Sequence, residues 1–263
     1  MRTKHILMMA AVGMFALTSC QKEEGCTDET ANNFNAEAEV ACEDCCTYDV
    51  VTTMRLNINH ETNGNPFALN EVYTDDFGND YRFTRFQYYL SGVGLHNASG
   101  ATSSSSYLLV DPSQGTFDLG TALPGTYDEI RFTAGIDSAT NHADPSLYES
   151  GDPLGFQTPS VHWSWSSGYI FWAIEGEVDA DNDGTFEGTF LFHIGMDSFR
   201  RDVVLTKNNT IAEGQINTFT VNADYTRFMD GIDMSTNPST HTMNNMPLAN
   251  QLIANIDNVF SVQ

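Results

Sequence analysis

Apolar and polar residues alternate in short runs along most of this chain, and only near the C-terminus does the period change. In VTTMRLNINH, Met54, Leu56 and Ile58 alternate with Arg55, Asn57 and Asn59, the spacing of a strand with one buried face, and His60 falls on that face. FALNEVYTDDFGNDYRFTRFQYYLSGVGL reads as two or three further strands, closed by the turn HNASG with His96 at a solvated tip. YLLVD, GTFDL and DEIRFTAGID are short strands around an LPGTY turn. The segment SATNHADPSLYESGDPLGFQTPS is irregular and carries His142 in an exposed position. A loop that long in a compact domain is commonly functional or mobile.

The densest β-forming stretch runs from Pro159 to Gly195 and holds all three tryptophans, Trp163, Trp165 and Trp172. GYIFWAIEGEV, the turn DADNDG and GTFLFHIG form a predicted hairpin. On the return strand Phe190, Phe192 and Ile194 share one face, and Leu191 and His193 share the other. Both faces are apolar, so the strand is expected to be covered on both sides with His193 inside. A buried histidine must be hydrogen-bonded or bound to a metal, and spacing alone leaves both readings open.

DSFRRDVVLTK and QINTFTVNADYTRFM read as the last strands. HTMNNMPLANQLIANIDNVF then shows helical spacing, with Leu248, Leu252, Ile253, Ile256, Val259 and Phe260 in one stripe. The expected fold is all-β, an antiparallel β-sandwich or open barrel with long loops and a C-terminal capping helix.

The N-terminus changes the picture of compartment. MRTKHILMMAAVGMFALTSC has a short basic start and an apolar run of 12 residues from Ile6 to Leu17, too short for the ~20 residues of a membrane span. Its LTSC ending resembles a bacterial lipobox. That resemblance implies cleavage before Cys20, lipidation of its thiol, and anchoring to a bilayer, at the outer membrane or cell surface, by lipid alone. The expected divisions are a signal peptide at 1–19, a lipidated acidic spacer at 20–50 and the β domain at 51–263.

In the spacer, Cys26, Cys42, Cys45 and Cys46 lie in an exported chain, so disulfides are expected over a zinc site. Direct Cys45–Cys46 bonding strains the peptide. Two pairings remain: Cys26–Cys46 with Cys42–Cys45, or Cys26–Cys45 with Cys42–Cys46. The segment resembles short GCTD-type modules of bacterial surface proteins, which implies a spacer.

Net charge is −24, with 35 acidic against 11 basic residues, and loss of Arg2 and Lys4 with the leader takes it to −26. Such a surface excludes nucleic acid as a partner, since phosphate binding needs a cationic footprint. No serine elbow, phosphate loop, HExxH helix or dinucleotide fingerprint occurs, and no cysteine is left to act as a nucleophile. The chain is therefore expected not to be an enzyme. Asp179, Asp181, Asp183 and Gly184 match the start of a calcium loop, but the twelfth position is Phe190 and the flanks are strands, so turn chemistry also explains them.

Five pieces occur in order: the strand ending in His60, YYLSGVGL, AGIDSATN, HWSWSSGYIFWAIEG with FLFHIG, and HTM followed by LANQLIANIDNVF. Together these resemble the MbnP-like copper-binding family of exported bacterial proteins. The resemblance implies a β-sheet protein holding copper through histidine imidazoles and a tryptophan oxidised to kynurenine, with a di-haem peroxidase-like partner linked to that oxidation. Carried onto this sequence, it implies His60 and His193 as ligands. In an extended 161–166 segment Trp163 and Trp165 point one way and His162 the other, so either the tryptophans or His162 face the metal. Trp163 is preferred, and His241 near the helix is a further candidate. The competing reading is an adhesion or glycan-binding sandwich in which the histidines are structural.

Overall fold

The computed structural model describes residues 22–48, 52–164 and 167–263, so the leader with Cys20, and Trp165, lie outside the described residues. The chain divides into two units, Met1–Asp49 and Val50–Gln263.

In the first unit, β1 (Glu24–Gly25) pairs in parallel with β2 (Val40–Ala41). Disulfides join Cys26 to Cys46 and Cys42 to Cys45, the first of the two expected pairings. Few of its described apolar groups are buried, Cys26 and Ala31 among them, so cross-links do here what a core does in a larger domain.

The second unit begins with β3 (Thr52–Thr62), β4 (Asn65–Pro66), β5 (Tyr73–Thr74), β6 (Asp80–Asn97), β7 (Gly100–Ser103), β8 (Leu108–Val110), β9 (Thr116–Ala122) and β10 (Gly125–Ala134). The short helix α1 (Ser138–Asn141) follows, then β11 (His162–Ser164), β12 (Gly168–Asp179), β13 (Gly188–Gly195), β14 (Arg201–Ile211) and β15 (Ile216–Asp224). β16 (Ser239–Thr240), α2 (Met246–Val259) and β17 (Phe260–Ser261) complete it.

Two open sheets result. The larger runs β14-β10-β6-β12-β13-β16, with β5, β7 and β8 also on β6 and β11 on β12. The smaller runs β17-β15-β3-β4, with β9 on β3. Both sheets are mixed, not wholly antiparallel as expected, because β3 pairs in parallel with β15 and β13 with β16. A parallel pair needs a long crossover, and almost the whole domain forms the connection between β3 and β15.

The alternating pattern fixes which faces meet. Met54, Leu56 and Ile58 of β3 are at most 3% exposed, and they join one core with Phe219 and Val221 of β15 and with Phe86, Tyr88, Trp172 and Phe192 of the larger sheet. Gly176 marks a close approach inside that sheet: a Cβ there would sit 2.2 Å from the Arg82 carbonyl oxygen and 2.3 Å from the Phe190 ring. Helix α2 starts where Asn245 caps the Leu248 amide with Pro247 in the first turn, and it buries Ala249, Leu252, Ile256 and Val259. Leu248 and Ile253 are only half-buried. Phe260, expected on the helix stripe, instead leaves the helix and pairs with Ala223 as part of β17.

His96 lies within β6, opposite Ala101, and is half-buried, not at a solvated tip. The hairpin turn also differs in detail from expectation. Asp179 is 2% exposed and its carboxylate accepts the amides of Asp183 (3.0 Å) and Gly184 (2.7 Å), which closes the turn. Phe190 points into the core, and the carboxylate that joins Asp179, Asp181 and Asp183 is that of Glu187.

Candidate metal centre

The register of three central strands builds a polar row on the outer face of the larger sheet. Tyr88, Trp172 and Ile194 align across β6, β12 and β13 on the core side. The intervening positions therefore face outward: Arg85 and Gln87 on β6, Ala173 and Glu175 on β12, Leu191 and His193 on β13. His193 is thus not inside between two apolar layers. Its side chain is 14% exposed on a face covered by polar neighbours.

These neighbours define its state. His193 Nε2 lies 2.9 Å from Glu175 Oε1, and Arg85 Nη1 lies 2.8 Å from the same oxygen. Arg85 also donates to Gln87 and to the carbonyl oxygens of Pro159 and Ser160, so it ties the approach to β11 onto the same row. Burial pushes the Glu175 carboxyl up, but the bonds from Arg85 and His193 outweigh it and hold the group below its ordinary value. Burial lowers the His193 imidazole despite the stabilising carboxylate. A neutral ring that donates from Nε2 keeps its lone pair on Nδ1, and among the described residues Nδ1 makes no hydrogen bond.

His241 is brought to this edge by a strained turn. β16 pairs in parallel with β13, and the chain then turns at Thr242, a β-branched residue with φ of 61°. Thr242 bonds back to the strand at the His193 carbonyl and the Gly195 amide, on either side of Ile194, and the His193 and His241 rings lie 5.2 Å apart at 74°. Next to them opens a cavity of about 730 Å³ lined by Trp163, Met196, His241, Met243, and by His142 and Asp197. Met196, like Thr242, is a non-glycine residue at positive φ (80°). Asp197 accepts from Asn141 and Ser138, which fastens α1, and with it His142, to the end of β13. Its carboxyl is held low chiefly by those two bonds.

Trp163 forms part of the cavity wall, and its ring packs where Gly195 has no side chain: a Cβ there would lie 2.8 Å from the indole. His162 takes the alternate position in β11. Its ring packs edge-on against Tyr169 at 4.7 Å, and its buried Nε2 has no hydrogen-bond partner among the described residues. Burial lowers its pKa.

His60 sits elsewhere, in the smaller sheet opposite Ala223. Its Nδ1 lies 2.5 Å from the Tyr225 hydroxyl and its Nε2 3.1 Å from the Gln114 carbonyl oxygen, so both ring nitrogens are engaged. The expected His60–His193 pair is therefore not brought together. The structure sets His193 against His241 instead, and His241 lines the cavity with Trp163. Imidazole nitrogens with the thioethers of Met196 and Met243 nearby make a donor set suited to copper, softer than carboxylate sites for calcium or magnesium. The family resemblance pointed to His193 and Trp163, with strand spacing leaving their role open; the placement of Met196 and Met243 depends on two turns that periodicity does not encode.

The model of the MbnP family matches residues 51–244, a span that includes His60, Trp163, His193 and His241 and ends before α2. No curated protein matches the chain. Among solved structures, MbnP from Methylosinus trichosporium is similar with a TM-score of 0.49 and 17% identity, over 70% of this chain and 80% of that one.

Proposed function

The chain belongs to the MbnP family, which makes it copper-related, and on that premise we propose that it binds copper at His193 and His241 for acquisition or handling, without turnover. The observation that carries this reading is the state of His193: Nε2 is fixed by Glu175, itself held by Arg85, while Nδ1 makes no hydrogen bond among the described residues and the ring lies 5.2 Å from that of His241, which lines the cavity with Trp163, Met196 and Met243. A carboxylate behind a ligating imidazole fixes its tautomer and raises its basicity. Copper here is cargo. Bound, it would be held by imidazole nitrogen, with thioether sulfur favouring the reduced ion.

In the same reading the protein is exported and held to a bacterial membrane through lipidated Cys20, with the disulfide-linked spacer between anchor and domain. A tryptophan oxidised to kynurenine by a di-haem peroxidase-like partner, as the resemblance implies, would fall at Trp163, the described indole that lines the cavity.

Competitive titration of copper(I) against a chromogenic chelator tests the assignment. Binding of one ion by the native chain is expected to be lost in both His193→Ala and His241→Ala and kept in His60→Ala. Loss only in His60→Ala would move the site to the smaller sheet. No binding by the native chain would leave the glycan-binding or adhesion reading.

A further inference from the structure

The protons around Tyr225 can be assigned from their partners. A carbonyl oxygen only accepts, so the bond from His60 Nε2 to the Gln114 carbonyl places the ring hydrogen on Nε2. Burial lowers the pKa of His60, so the ring is neutral at neutral pH and Nδ1 carries a lone pair. The Tyr225 hydroxyl, 2.5 Å away, therefore donates to Nδ1. With that proton engaged, Tyr225 accepts from the Tyr88 hydroxyl at 3.2 Å. The Tyr88 ring is stacked on Trp172 at 4.6 Å and 12°, and Trp172 is also stacked on Phe228 at 5.0 Å and 22°. Trp172 is fully buried, and its indole N–H has no hydrogen-bond partner among the described residues.

We propose that Tyr225 and His60 form a proton-coupled redox site, with Tyr88 and Trp172 as its aromatic relay. A one-electron oxidant of high potential takes an electron from the array. The Tyr225 O–H bond breaks, an N–H bond forms at His60 Nδ1, and the oxidant is reduced by one electron. The products are a neutral tyrosyl radical and an imidazolium.

The surroundings favour this division of charge. Tyr225 has no exposed surface, and its phenol is held well above its ordinary pKa by burial, so neither a tyrosinate nor a protonated radical is tolerated there. His60 is half-buried, its Nε2–H is bonded to a carbonyl, and the Asp111 carboxylate favours its cation. Any acceptor would satisfy the hydrogen bond of a buried tyrosine. His60 is an acceptor that can also keep the proton. Trp172 pairs with Ile194, and its neighbour Ala173 pairs with His193, so the relay begins on the core side of the strands that carry the candidate metal centre.

The test uses the full chain without metal, carrying 3-fluorotyrosine at position 225, oxidised by photogenerated tris(bipyridine)ruthenium(III) and frozen for electron paramagnetic resonance. A tyrosyl signal with fluorine hyperfine splitting is expected. His60→Asn in the same background keeps a hydrogen-bond acceptor but removes the base, and the split signal is expected to disappear. A tyrosyl signal without fluorine splitting, or an equal yield of the split signal in His60→Asn, overturns the proposal. Because no copper is present, either result leaves the copper assignment untouched.

Discussion

Thr242 clasps the strand just after His193: its hydroxyl donates to the His193 carbonyl oxygen at 3.2 Å and accepts the Gly195 amide at 3.1 Å. Positive φ at a β-branched residue costs about 1–3 kcal/mol, and these two bonds offset it. Thr242→Val keeps the shape and deletes both bonds. It is expected to lower stability by about 1–3 kcal/mol in urea unfolding, through the orphaned buried amide, and to weaken copper binding as His241 loosens. Thr242→Ser, which retains the hydroxyl, is expected to restore both.

Glu175 separates electrostatic orientation from mere packing. Glu175→Gln leaves an oxygen that can accept from His193 but removes the charge shared with Arg85. Copper affinity is expected to fall roughly 10–100-fold, as for other groups that orient a ligating histidine. Titration at fixed pH measures this, and an unchanged affinity would argue that His193 needs no carboxylate behind it.

Gly195 is where strand and indole touch. In Gly195→Ala the new methyl group would meet the Tyr169 carbonyl oxygen at 2.3 Å and the Trp163 ring at 2.8 Å. Overpacking of this kind costs about 1–3 kcal/mol. The displaced indole should change the tryptophan emission spectrum, and quenching by added copper should diminish. An unchanged spectrum would show that the strand, not the ring, gives way.

Acid should act first through histidine. His60, His162 and His193 are all lowered from the ordinary value of 6.5, chiefly by burial, so the unfolded chain binds protons at a pH where the folded chain does not. Stability is therefore expected to be level above about pH 7 and to decline as pH drops below 6.5 towards the depressed folded values. The carboxylates of Asp75, Asp137 and Glu175 are lowered, so what they contribute persists until pH falls through the ordinary carboxylate range. Urea midpoints measured from pH 8 to pH 5 should show the decline, with a shallower slope in His60→Asn.

Local periodicity was a good guide wherever one face of an element meets the core. The alternation at Met54, Leu56 and Ile58 located β3 and put His60 on its inner side, and the hairpin of Trp172 and Phe192 appeared with its core face correctly assigned, though the face of His193 is polar and not a second apolar layer. The helix stripe was legible as far as Val259. Contacts between elements were not. His60 and His193 share the right residue type and strand setting, yet they lie in different sheets, and nothing local to either says so. His241 reaches His193 through a turn whose key residue, a threonine, carries no signal for positive φ. Asp179 looked like a cation ligand because the same carboxylate chemistry serves an ion or two backbone amides.

The parallel pairing of β3 with β15 sets an order of events in the life of the chain. During synthesis β3 emerges early, and β9 can cover one of its edges, but the other waits for residues that arrive almost last. Until then an apolar ribbon with a free edge is open to mispairing with other chains. A chain halted before Ile216 should be proteolysed or aggregate, however well its larger sheet is formed. The domain is closed by its own ends, and it can become resistant to protease only in one late step.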